Sequence, residues 1–174
     1  SPPLAATALL QLNVTPVVTI YLPCGNDNHQ DQGLTDEADE YETGVTMLQE
    51  LWTRLGAANL RGTTTVASLF VFGRTLQLNA SGGRDHNGAH HVSVMFGPRI
   101  RPGVVGGLAN FGDGIYGATG IDPATGQNAA GGPLPASATL TAWGRTLMRA
   151  ICLPDEAADR RLPGGQVVEG MLRT

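Results

Sequence analysis

The sequence predicts an α/β fold with a mostly parallel sheet flanked by helices. Three observations carry this. The runs "VTPVVTIYL" (14–22) and "TTTVASLFVF" (63–72) are β-branched and continuously apolar, the pattern of strands buried on both faces. A long helical pattern lies between them, and strand–helix–strand order implies parallel pairing. Polar loops follow both runs, at the carboxyl edge where open α/β sheets bind ligands.

The elements follow in order. Residues 4–12 read as a short Ala-rich helix after "SPP". The first strand, 14–22, is entered past Pro16, and the polar loop "PCGNDNHQDQGLT" follows it. From about Asp36 to Leu55, Tyr41, Val45, Leu48, Trp52 and Leu55 fall on one helical stripe. Thr35 or Asp36 can cap this helix, and Gly56 ends it. After the second strand comes the loop "GRTLQLNASGGRDHNGAH", then a third strand over 91–97. Residues 97–135 show little periodicity. So long an irregular region is unusual in a compact domain, so it packs on a neighbour or borders a site. Residues 137–153 predict a helix with Leu140, Trp143, Leu147 and Ile151 on one face, stopped by Pro154. "QVVEGML" (166–172) reads as a short last strand.

The chain has 174 residues, about one domain's worth, so 1–174 is read as a single α/β domain. Apolar residues make up 41% and charged residues 15%, a globular balance. A net charge of −4 and a pI of about 5.4 argue against a nucleic-acid surface. Every basic side chain is Arg, so guanidinium is the only permanent cation. No apolar run approaches the ~20 residues of a membrane span. The opening "SPPLAATALL" reads as a mature or trimmed end rather than a signal peptide. Cys24 and Cys152 form no CxxC pair, and spacing leaves a disulfide between them open.

Three of the four histidines fall in "DHNGAHH" (85–91), and the fourth is His29. Asp27 and His29 are two apart, so in extended chain they point the same way and offer a two-ligand bite for zinc or manganese. The competing reading is a solvated loop with an Asx-turn. Asp85 and His86 converge only if the backbone turns, which Gly82 and Gly83 permit; alternatively Asp85 orients His86. His90 and His91 open a strand and face opposite sides. This loop, too, reads alternatively as an exposed hairpin-like connection. Arg74 and Arg84 are candidate anion clamps, or partners of the chain's own acids. No GxSxG, GxGxxG or P-loop pattern is present.

The ordered motifs resemble a family. Asp27 and His29, then Phe72-Gly73-Arg74-Thr75, then Gly82-Gly83-Arg84-Asp85-His86 resemble the motifs of an uncharacterised bacterial sulfatase-like family in the alkaline phosphatase superfamily. The resemblance covers most of residues 14–120. It implies that this chain is the C-terminal portion of a larger sulfatase-like fold. It also implies a divalent metal (zinc, calcium or manganese) held by Asp27, His29, Asp85 and His86. Arg74 and Arg84 would bind an anionic phosphate or sulfate ester, with a periplasmic or extracellular location. Asn26 stands where that family has Trp, and Val71 where it has Glu. The nucleophile is not identified and would come from a missing N-terminal segment or a partner subunit. The alternative is a non-catalytic, degenerate member serving as an assembly subunit. A carbohydrate-binding module is weaker, because aromatics are only 5% of the chain.

Overall fold

The computed structural model describes residues 1–24, 27–70, 72–112 and 114–173. The two departures singled out above, Asn26 and Val71, lie outside the described residues. The chain divides into two compact units. One is Ser1–Thr64 with Leu76–Asp85; the other is Thr65–Thr75 with His86–Thr174.

The first unit is built on two helices. α1 spans Pro2–Gln11, with prolines at its start, where a missing N–H costs nothing. It buries Pro3, Ala6 and Thr7, and the Thr7 hydroxyl donates back to the Pro3 carbonyl at 2.8 Å. α2 spans Thr35–Ala57 and packs against α1. Its buried face is Gly44, Leu51 and Leu55, so the stripe sits rotated from the predicted one: Tyr41 and Val45 are exposed. Glu50 takes the Arg54 Nε–H at 2.7 Å and the Ser1 hydroxyl at 2.8 Å. Those bonds, Arg54 first, hold the Glu50 carboxyl below its ordinary range. Gly44 has a separate purpose. A Cβ there would come 3.1 Å from the Cys24 Cβ, so the glycine lets the 22–24 segment cross the helix closely. Burial, and then the Glu40 carboxylate, push the Cys24 thiol up.

The second unit carries all six strands among the described residues, each two or three residues long. β1 (Val66–Ala67) pairs with β4 (Met95–Phe96). β2 (Gly73–Arg74) pairs with β3 (His86–Asn87). β5 (Leu108–Asn110) pairs with β6 (Tyr116–Ala118). All three pairs are antiparallel. α3 (Thr139–Ala150) and α4 (Asp155–Arg161) follow. The core gathers Ile121, Leu134, Ala142, Val168 and Met171, and a second cluster joins Ile100, Ala150 and Leu172. α3 buries Ala142, Arg145, Thr146 and Ala150, while Leu140 and Ile151 of the predicted stripe are exposed. The buried Arg145 guanidinium pairs with Asp159 at 2.7 Å.

The expected mostly parallel, helix-flanked sheet is therefore corrected: the described residues form four α-helices and short antiparallel two-stranded sheets. An apolar run without alternation does not by itself specify a buried parallel strand. The 14–22 run joins no sheet, and Val14, Val17 and Tyr21 are mostly exposed. Among the described residues of the 63–72 run, two are in a strand, Val66 and Ala67. Residues 166–172 end in a 3₁₀ turn, Glu169–Met171, with Leu172 bridged to Ile100. The irregular 97–135 region packs on its own unit, supplying Ile100, Ile121 and Leu134 to the core. No helix among the described residues is long and apolar enough to cross a membrane.

Candidate metal centre

The N-terminal end of α2 anchors the loops of the first unit. A left-handed Leu34 (φ 57°) reverses the chain just before the helix. No side chain at the N-cap position serves the first turn. Asp31, buried at 7% exposure, does so instead from outside the helix. Its Oδ2 accepts the Glu37 N–H at 2.8 Å and its Oδ1 the Asp36 N–H at 3.2 Å. Helix starts leave such N–H groups without intrahelical partners and favour negative charge beside them. Desolvation pulls the Asp31 carboxyl up, but the backbone bonds from Glu37, Asp36 and Thr35 outweigh it and hold the group low.

The second loop, 76–85, is tied to the first. The Arg84 N–H donates to the Asn28 carbonyl at 3.2 Å. The Arg84 guanidinium meets Glu37, in the first turn of α2, at 3.4 Å. Gly83 presses on the Asn28–His29 backbone so closely that any Cβ would collide with it. Asn28 is itself buried.

This scaffold brings together three predicted residues: Asp27, His29 and Asp85. His29 Nδ1 lies 2.9 Å from Asp85 Oδ1, and His29 Nε2 lies 3.1 Å from Asp27 Oδ1. Both ring nitrogens thus face carboxylate oxygens. A neutral imidazole has one N–H and one lone pair. If Nδ1 donates to Asp85, the Nε2 lone pair faces the Asp27 oxygen. That contact is repulsive unless a cation or a second ring proton lies between. The spacing is near that of a shared cation: an imidazole nitrogen and a carboxylate oxygen at metal-bond lengths of about 2.0–2.2 Å on one tetrahedral ion stand roughly 3.3–3.6 Å apart, against 3.1 Å between His29 Nε2 and Asp27 Oδ1. A carboxylate on the far ring nitrogen is the usual device for fixing a metal-binding histidine's tautomer and orientation.

The remaining predicted residues lie as follows. Arg84 belongs to the first unit and braces Glu37. His86 and Arg74 belong to the second unit. There they are opposite each other across β2–β3, with the His86 ring stacked 4.1 Å from Phe72 and the Arg74 guanidinium 5.6 Å from the same ring. His90 is buried in that unit, its Nδ1 3.3 Å from the Tyr116 carbonyl. Both cysteines are free thiols. Two residues escaped the sequence reading: Asp31 and Asn79. Asn79 binds both loops, and its spacing to Ser81 and Gly83 in "NASGG" is an Asx-turn signal.

Comparison with known proteins corrects the resemblance drawn from the short motifs. No curated protein and no solved structure matches the chain. Nothing found indicates a sulfatase or a member of the alkaline phosphatase superfamily. The quoted motifs are two to five residues each, and turn chemistry alone favours Gly-Gly, Asp and Asn in such loops. What does match, over residues 3–116, is a family model described as a protein of unknown function, DUF1501. Because that match takes in most of the chain, the protein belongs to the DUF1501 family.

Proposed function

We propose that this chain holds a divalent metal ion on Asp27 Oδ1 and His29 Nε2, with Asp85 orienting the imidazole. The observation that carries the reading is the pair of carboxylates flanking one histidine at 2.9 and 3.1 Å. The mixed oxygen and nitrogen donor set fits zinc or manganese; calcium takes oxygen ligands. Asp27 is 74% exposed at its side chain, so two protein ligands leave room for water and for a substrate oxygen. Bound there, such an ion would polarise an ester oxygen or lower the pKa of bound water. Hydrolysis of phosphate or sulfate esters is the chemistry to assay first. In that reaction Asp85 keeps Nδ1 protonated, His29 presents Nε2, and Asp27 supplies negative charge beside it.

The test is calorimetric titration of the whole chain with Zn²⁺ and Mn²⁺, repeated on His29→Ala and Asp27→Ala. Saturable one-to-one binding, weakened at least tenfold in each variant, is the expected result. Binding unchanged in both variants would remove the proposal.

A further inference from the structure

Asn79 uses its whole side-chain amide. Its Oδ1 accepts the Ser81 N–H at 2.9 Å and the Gly83 N–H at 3.2 Å. Two backbone donors at that atom identify it as the oxygen, so the other end is the amide nitrogen. That Nδ2 donates to the His29 carbonyl at 3.0 Å and to Asp85 Oδ1 at 2.9 Å. One short side chain therefore spans both loops. It shapes the Gly82–Gly83 turn, grips the backbone of the histidine, and holds the carboxylate oxygen that faces His29 Nδ1. Asp85 Oδ1 thus takes one bond from Asn79 and also faces the imidazole.

We infer that Asn79 is a positioning residue that sets the tautomer of His29. By fixing Asp85 Oδ1 against Nδ1, it keeps the proton on Nδ1 and leaves Nε2 as the basic nitrogen turned to Asp27. The inference rests on the metal-centre reading for its consequence, but the tautomer itself is observable without any metal. Loss of a carboxylate bonded to a metal-binding imidazole ordinarily costs about 10–100-fold in metal affinity, and Asn79 acts through such a carboxylate.

Two readouts test it on the full chain. The first is the ¹⁵N–¹H spectrum of the imidazoles at pH 8.5 without metal, in the wild type and in Asn79→Ala. The wild type should show His29 protonated at Nδ1 alone; the variant should show a mixture. The second is Zn²⁺ affinity in a double-mutant cycle with Asp85→Ala. Asn79→Ala should cost at least tenfold alone and under about threefold in the Asp85→Ala background, since its effect runs through Asp85. A thermal melt of each variant separates misfolding from mispositioning, and Asn79→Asp offers a second variant of similar size that lacks the donors. An unchanged tautomer, a His29 protonated at both nitrogens, or an equal affinity loss in both backgrounds would overturn the inference. If the wild type binds no Zn²⁺ yet its tautomer still answers to Asn79, the metal reading fails and this one stands.

Discussion

Two irregular regions of this protein are rich in glycine and polar residues, and they are held by opposite means. The loops 27–31 and 76–85 of the first unit are fixed by polar bonds: Asp31 on the start of α2, Arg84 on Glu37, Asn79 on His29 and Asp85. The 97–135 region of the second unit is fixed by apolar anchors, Ile100, Ile121 and Leu134, and by backbone bridges such as Ile121 with Leu134. The difference separates positioning from stability. Buried apolar area dominates folding free energy. Directional hydrogen bonds instead place charged groups at set distances, which chemistry needs and stability does not.

Breaking the apolar region should have the largest effect on folding. Leu134→Ala removes a side chain that is 2% exposed and should cost about 2–5 kcal/mol, seen as a lower midpoint in urea. Zn²⁺ affinity measured below the transition should not change. A matched glycine pair sharpens the contrast. Gly170→Ala would drive a Cβ into the Thr125–Gly126 backbone, and Gly83→Ala into Asn28 and His29. Each should destabilise by about 1–3 kcal/mol, but only Gly83→Ala should also weaken metal binding. Equal metal affinity in the two variants would erase the distinction between the regions.

Asp31 gives the smallest and most pH-specific effect. Its carboxyl is held below its unfolded value of about 3.9. Its contribution is therefore present above about pH 4 and lost as pH falls through the folded pKa. Asp31→Asn should lower the melting temperature at pH 7, and the gap to the wild type should close towards pH 3. A gap constant with pH would mean that the carboxylate charge at the start of α2 is not what stabilises that turn.

Three of the helices, α1, α2 and α3, were legible in the sequence; α4 and the sheets were not. Residues 36–55 and 137–153 read as helices, and Thr35–Ala57 and Thr139–Ala150 are helical. A period of 3.6 residues over three or more turns leaves little ambiguity. Which face is buried was less legible, because small residues serve it: Gly44 on α2, and Ala142 and Ala150 on α3. Continuous apolar runs carry no period, so 14–22 and 63–72 gave no basis for choosing strand pairing. At the candidate site, Asp27, His29 and Asp85 stood out by residue type. Their convergence depends on backbone turns 50 residues apart in sequence, which no local pattern encodes. Asn79 does not stand out by residue type, because its chemistry lies in four hydrogen bonds, two from the Ser81 and Gly83 backbone and two to the His29 carbonyl and Asp85, which only the fold arranges together.

The measurement that bears most directly on the central claim is Zn²⁺ titration of the intact chain beside His29→Ala, read by calorimetry at pH 7.5. The account requires one bound ion per chain in the wild type, and affinity at least tenfold weaker in the variant at unchanged melting temperature. No binding by the wild type, or equal binding by both, would contradict it.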